Sequence, residues 1–128
     1  MTRYAFGKTV TLPFDRARER ITEELAKVGF GVLTEIDVQA TMKKKLDLDM
    51  PPYRILGACN PAFASRALAA EPAIGALLPC NVVVYEETGR TVVAAIDARR
   101  MMSVLDNPAL ASAAGMVRTR LSGPPHWM

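Results

Sequence analysis

The sequence predicts an α+β fold: a mixed, mostly antiparallel sheet of about five strands with helices packed largely on one face. Strand-like and helix-like segments alternate along the chain. Thr88-Gly89 separates the last two strand-like segments and is typical of a hairpin turn. The chain has 128 residues, 50% of them hydrophobic, which suits one domain with a full core. We therefore expect residues 1–128 to form a single domain.

The hydrophobic periodicity gives the position of each element. Alternating β-branched and aromatic residues indicate strands, which are predicted at residues 3–11, 30–36, 53–58, 81–86 and 91–96. Apolar residues three and four positions apart indicate helices, which are predicted at residues 14–28, 38–46, 61–71, 97–105 and 108–121. The first two strands flank a helix, as in a βαβ unit, and a ferredoxin-like sandwich is an alternative arrangement of similar parts.

Several helix ends carry capping residues. Asp37 and Asn60 stand where an N-cap is expected, and Asn60 is followed by proline at the first helical position. Gly29 predicts the C-terminal end of the first helix. Glu23 and Lys27 are four residues apart and predict an ion pair on the exposed face of that helix.

Charge and composition argue against several classes of function. The net charge is +3 and the charges are mixed along the chain, whereas nucleic-acid-binding proteins usually carry a basic stripe. We expect no nucleic-acid partner and interpret the basic run 43–45 as a solvated helix face. Two cysteines without a signal peptide predict a cytoplasmic protein. No apolar stretch approaches the roughly 20 residues that cross a bilayer, so no membrane partner is expected.

The most concentrated chemical feature is a repeated Cys-Asn pair, Cys59-Asn60 and Cys80-Asn81. Each residue alone has a structural explanation, since cysteine is often buried and asparagine often caps a helix. Together the four residues form a candidate ligand-binding site. If residues 72–79 return along the preceding helix, Cys80 lies beside Cys59. If they form a compact crossover, the two strands are parallel and the cysteines lie at opposite ends of the sheet.

Three chemistries are open if the two thiols meet. Thiolates at a helix N-terminus would have lowered pKa values, which favours redox or nucleophilic use. Together with Met101 or Met102 they could bind a soft metal ion, and the free amides of the helix start could bind an anion. A zinc site is not expected, because the single histidine is His126 in the C-terminal tail. The sequence indicates no particular cofactor.

Three further positions have either a functional or a structural interpretation. Tyr53 and Arg54 precede the cysteine-bearing strand and could line a pocket with it, so Tyr53 joins the candidate ligand-binding residues. Glu86 and Glu87 are adjacent in a strand and therefore point to opposite faces, which is typical of a hairpin rim and unsuited to a catalytic pair. Gly57 indicates a close backbone approach at the end of a strand.

Two stretches carry a family resemblance. Residues 53–61 (Tyr-Arg-Ile-Leu-Gly-Ala-Cys-Asn-Pro) and 77–86 (Leu-Leu-Pro-Cys-Asn-Val-Val-Val-Tyr-Glu) resemble the family catalogued as domain of unknown function 302, and the likeness covers nearly the whole chain. The resemblance implies a small α+β fold of bacterial or archaeal type and a homodimer, and it implies no established activity. The family's Asp-Pro helix start after the last strand is altered, since Ala98 follows Asp97.

These observations lead to three hypotheses. The first is a non-catalytic, homodimeric domain that binds a small molecule or an anion at the two Cys-Asn motifs. The second is a thiol-dependent redox protein or enzyme that uses Cys59 or Cys80. The third is a structural or assembly module whose cysteines belong to the core. The Met- and Ala-rich C-terminal helices are a plausible dimer interface.

Overall fold

The computed structural model describes residues 4–97. In this range the strands are β1 Ala5–Val10, β2 Gly31–Asp37, β3 Tyr53–Cys59, β4 Cys80–Glu87 and β5 Arg90–Ile96. The helices are α1 Phe14–Lys27, α2 Val38–Leu46 and α3 Pro61–Ala70, and a 3-10 helix spans Pro72–Leu77. These boundaries lie within two residues of the predicted ones. The helices predicted after Asp97 lie outside the described residues.

The five strands form one sheet in the order β1-β5-β4-β3-β2. The α+β prediction is confirmed, but the sheet is antiparallel at each of its four strand pairings. A mixed sheet was therefore a wrong expectation in this detail. The predicted βαβ neighbours, β1 and β2, are the two edge strands. Side-chain burial agrees with this order. Residues 91–95 of β5, an inner strand, are buried on both faces, whereas most of the edge strand β2 is exposed.

The core lies between α1 and one face of the sheet, which we call the helix face. Ala17, Ile21 and Leu25 are the buried residues of α1. They share a hydrophobic cluster with sheet residues that point to the same side, namely Leu56, Ala58, Cys80, Val82, Val84, Val93 and Ala95. Phe63 of α3 belongs to this cluster too, so in residues 4–97 both α1 and α3 pack on the helix face, as predicted.

The predicted capping residues act at their helix ends. The Asp37 side chain accepts a hydrogen bond from the Ala40 amide at 2.9 Å. Gly29 follows α1 with a φ of 87°, a conformation that glycine adopts without steric cost. The predicted Glu23–Lys27 ion pair is not formed; Lys27 contacts Glu24 at 3.0 Å instead. In the part of the chain that the structure describes, no helix is long and apolar enough to span a bilayer.

Candidate functional site

The two Cys-Asn motifs meet at one end of the sheet. β3 and β4 are antiparallel neighbours, and Ala58 lies opposite Cys80 in their register. The chain leaves β3 through α3 and returns through the 3-10 helix, so Cys80 arrives next to Cys59. Of the two geometries that the sequence left open, the returning connection is the one observed.

The two thiols lie in different surroundings. Residues opposite each other in an antiparallel pair share a face, and consecutive residues alternate between faces. Cys80 therefore shares the helix face with Ala58, and it is 9% exposed within the core cluster. Cys59 follows Ala58 and projects to the other face, where it is half-buried. Both cysteines are free thiols.

The electrostatics of Cys80 do not favour thiolate chemistry. Burial and, to a smaller extent, the nearby charge of Cys59 raise the pKa of Cys80 from an ordinary 9.0 to about 11. A thiol with that pKa is protonated at neutral pH and is a poor nucleophile. The lowered pKa expected for paired thiols at a helix start therefore does not occur at Cys80.

The two asparagines have different environments. The Asn60 side chain accepts a hydrogen bond from the Phe63 amide at 3.2 Å, which caps α3. Asn81 is exposed and pairs with Gly57 in the register of β3 and β4. The structure thus brings Cys59, Asn60, Cys80 and Asn81 together, while each has its own local environment.

Tyr53 lies away from this group. It begins β3, which Cys59 ends, so the two residues are six positions apart along an extended strand, roughly 20 Å. Residues 4–97 hold no group of three or more His, Cys, Asp or Glu side chains placed to bind a metal ion. Met101, Met102 and His126 lie outside the described residues.

A cleft of about 410 Å³ lies at the opposite end of β3. It is formed where α1 and α2 begin, where β3 begins and where β4 ends. The residues that line it are Pro13, Phe14, Asp15, Gln39, Pro52, Tyr53, Arg54 and Glu86. Tyr53 stacks on Tyr85 of the neighbouring strand with ring centroids 5.1 Å apart. Burial of the phenol raises the pKa of Tyr53, so the hydroxyl is a hydrogen-bond donor at neutral pH.

Carboxylates outnumber guanidinium groups around this cleft. Arg54 contacts Asp37 at 3.2 Å and Glu35 at 3.5 Å. Glu35 also bonds to Arg18 of α1 at 2.8 Å. The charged residues of the lining itself are two carboxylates, Asp15 and Glu86, and one guanidinium group, Arg54. The positive charge of Arg54 is therefore largely compensated, and the cleft has a net negative character.

The sequence pointed to two of the lining residues, Tyr53 and Arg54, but placed them near the cysteines. It missed Glu86, which was interpreted as a hairpin rim, and Gln39. The signal for Glu86 was present in principle, because an antiparallel β3–β4 pair brings the end of β4 to the start of β3. In the structure the Glu86 amide donates to the Pro52 carbonyl at 3.1 Å.

Comparison with known proteins supports the fold and the family. Residues 6–123 match the sequence profile described as domain of unknown function DUF302. The chain belongs to the DUF302 family. The expected family resemblance is therefore confirmed over most of the chain, including both Cys-Asn motifs.

A solved structure is similar to this DUF302 chain. It is the crystal structure of an uncharacterized conserved DUF302 protein from Bacillus stearothermophilus, with 32% sequence identity and a TM-score of 0.87. The alignment covers 94% of each chain. No curated protein matches the sequence. The comparisons thus establish the DUF302 fold and supply no activity.

Proposed function

We propose that this protein is a small-ligand-binding domain and that its ligand occupies the cleft between the starts of α1, α2 and β3. The ligand class is a small organic amine with an apolar or aromatic body. The observation that carries the proposal is the combination, in one cleft, of the aromatic residue Phe14 and an excess of carboxylates.

The size of the cleft suits such a ligand. Its volume of about 410 Å³ falls in the range of roughly 300–1,000 Å³ that is usual for small-molecule sites. Phe14 offers aromatic surface, and aromatic faces attract cations by about 0.5–1 kcal/mol at exposed positions. These features support an amine attached to an apolar group.

The charged residues of the lining favour a cationic ligand over an anionic one. Arg54 is the guanidinium group of the lining, and two carboxylates already contact it. An anionic ligand would have to compete with Glu35 and Asp37 for Arg54. An ammonium group instead meets Glu86 and Asp15, which can accept its hydrogen bonds, and Gln39 is a polar neighbour in the same lining. The sequence suggested a small molecule or an anion as the ligand, and this proposal narrows the ligand to a small organic cation.

The Cys-Asn end has a structural role in this proposal. Asn60 is engaged in capping α3 and Cys80 in the core, so neither is displayed to a ligand. The raised pKa of Cys80 also disfavours the alternative of a thiol-dependent enzyme at that residue. Tyr53 is the residue that the cleft shares with the set predicted from the sequence.

Two ligands of similar size and opposite charge test the proposal. Isothermal titration with 2-phenylethylamine and with 3-phenylpropionate compares an ammonium with a carboxylate on the same phenyl body. We expect the amine to bind and the acid not to bind. Glu86→Gln should weaken amine binding about tenfold or more, since a charged hydrogen bond contributes about 1.5–3 kcal/mol.

Glu87→Gln is the matched control, because Glu87 is the exposed neighbour on the other face of the same strand. It should leave amine binding unchanged. Preferential binding of the acid, no binding of either compound, or equal effects of the two glutamate substitutions would overturn the proposed ligand class.

We also propose that the protein acts as a homodimer, as the family resemblance implies. The support is four exposed large apolar side chains within residues 33–48, on β2, on α2 and just after α2. Large apolar patches on a protein surface are typical of interaction sites.

A further inference from the structure

Two carboxylates of the cleft have no cationic partner in the described part of the chain. Asp15 of α1 and Glu86 of β4 both line the cleft, and neither forms an ion pair there. Arg54, the cation of the same lining, is held instead by Asp37 at 3.2 Å and Glu35 at 3.5 Å. The oxygens of the first two carboxylates can therefore accept hydrogen bonds from a ligand.

The side-chain amide of Gln39 has a fixed orientation in the same lining. Its Nε2 donates a hydrogen bond to the Met50 carbonyl oxygen at 2.9 Å. A carbonyl oxygen can only accept, so this contact identifies which end of the amide is nitrogen and which is oxygen. With one N–H engaged in this way, Oε1 is the atom of the amide that keeps its full hydrogen-bonding capacity. A ligand that contacts Gln39 therefore meets mainly an acceptor.

The segment that leads into β3 holds two of these three residues in place. The Met50 carbonyl accepts from the side chain of Gln39, and the Pro52 carbonyl accepts from the backbone amide of Glu86 at 3.1 Å. Both acceptor-bearing residues are thus tied to one short piece of chain before any ligand binds. Groups that are ordered in advance lose less conformational freedom on binding, which favours affinity.

The three acceptors come from three different elements. Asp15 lies in the first turn of α1, Gln39 is the second residue of α2, and Glu86 lies near the end of β4. Side chains that reach one cleft from separate elements can contact a ligand from different sides. A protonated primary amine carries three N–H donors, whereas a quaternary ammonium group carries none. The number of acceptors in the lining therefore suits a primary amine.

We infer that the cleft selects a primary ammonium group over methylated ones, and that Gln39 contributes to this selectivity. The inference rests on the proposed amine-binding function and specifies which amines are bound. Charge alone produces no such preference, since a methylated ammonium keeps its charge and gains apolar surface for contact with Phe14. Hydrogen bonding does produce it, because each N-methyl group removes a donor and leaves an acceptor oxygen without a partner.

Two cations with the same phenyl body test the selectivity. Isothermal titration of the full-length protein at pH 7 compares 2-phenylethylamine with N,N,N-trimethyl-2-phenylethylammonium, both of which are positively charged at this pH. We expect the trimethylated ion to bind at least about tenfold more weakly, because its nitrogen makes no charged hydrogen bond. The N-methyl and N,N-dimethyl compounds should have intermediate affinities, in the order of their remaining N–H groups.

Substitutions at Gln39 separate selectivity from an effect on the fold. Gln39→Leu removes one of three acceptors and should lower the ratio of the two dissociation constants about threefold, whereas Gln39→Glu keeps an oxygen and should preserve the preference. Loss of the Met50 contact alone would weaken both ligands alike and leave the ratio unchanged. Thr41→Val is the matched control on α2, since Thr41 bonds to the Asp37 carbonyl at 2.8 Å and is not part of the lining.

The outcomes distinguish selectivity from amine binding itself. Equal affinities for the two cations, tighter binding of the trimethylated ion, or the same ratio in Gln39→Leu as in the unsubstituted protein would overturn this inference and leave the proposed amine site standing. If neither cation binds, the inference and the proposed function are both overturned.

Discussion

The thiol of Cys80 lies among apolar side chains of the helix face, and Cys59 next to it projects to the other side. This difference follows from one register position, since Cys80 pairs with Ala58 and not with Cys59. The two copies of the Cys-Asn dipeptide therefore have different roles. In the second copy Cys80 fills the core, and in the first copy Asn60 follows the end of β3 and caps α3.

The buried thiol makes stability depend on pH in the alkaline range. The pKa of Cys80 is raised from 9.0 to about 11 in the folded protein, so the unfolded chain loses this proton first as pH rises. Linkage then lowers the free energy of unfolding between about pH 9 and pH 11, by at most about 1.4 kcal/mol per pH unit. Below pH 9 the thiol is protonated in both the folded and the unfolded chain, so its full contribution to stability is present.

Urea unfolding at pH 8, 9 and 10 measures this slope. We expect Cys80→Ala to be less stable overall and to have a shallower decline with pH than the unsubstituted protein. Cys59→Ala serves as the comparison for the other thiol and should retain the decline. Parallel pH profiles for the unsubstituted protein and Cys80→Ala would contradict the burial argument.

Asn60 provides a test of the structural interpretation of the motif. Asn60→Ala removes the acceptor for the Phe63 amide and should lower the free energy of unfolding by about 1 kcal/mol, the usual cost of losing an N-cap. Asn81→Ala, at the exposed asparagine of the second motif, should change it by less than about 0.5 kcal/mol. Thermal denaturation of both variants gives the comparison, and a larger loss at Asn81 would argue for an unrecognised contact there.

At the scale of elements, the missing side chain of Gly57 lets Thr34 of β2 and Pro79 pack closely against β3. A Cβ atom at this position would clash with the Thr34 hydroxyl of β2 and would lie 2.7 Å from Cγ of Pro79. The sequence predicted a close approach at Gly57, but of backbone; the structure has two side chains there. Pro79, which precedes Cys80, is thus packed against β3, the strand that ends at Cys59.

Gly57→Ala should therefore destabilise the fold by about 1–3 kcal/mol, as overpacking does in other cores. Gly31→Ala is the control, because a Cβ at Gly31 meets nothing within 4 Å. Equilibrium unfolding in urea should place Gly57→Ala well below both the control and the unsubstituted protein. Equal stabilities would mean that Thr34 and Pro79 move aside without cost.

Element boundaries were predictable because their signals are local. The caps at Asp37 and Asn60, Pro61 at the first position of α3 and Gly29 after α1 each act within one turn of the helix. The Glu23–Lys27 pair failed for a related reason: Glu24 lies three positions before Lys27 and four after Arg20, and it bonds to both. Sequence spacing alone does not choose between two such acids.

At the scale of the whole molecule, strand order was not predictable in the same way. The position of β5 between β1 and β4 depends on long-range pairing, and its buried residues on both faces were the available indication. The cleft has the same origin, since it joins Phe14, Gln39, Tyr53 and Glu86 from four elements. The residues at the end of the sheet that holds the cysteines were predictable, but their geometry depended on whether β4 runs parallel or antiparallel to β3.

The pairing of β1 with β5 also has a consequence for folding during synthesis. Val10 pairs with Thr91 and Ala5 with Ile96, so β1 leaves the ribosome long before its partner. At about 5–20 residues per second, the delay is roughly 4–16 s, and non-local pairings of this kind slow folding. The first strand to be synthesised is therefore among the last to join the sheet, and until then its hydrogen-bonding groups are open to other nascent chains.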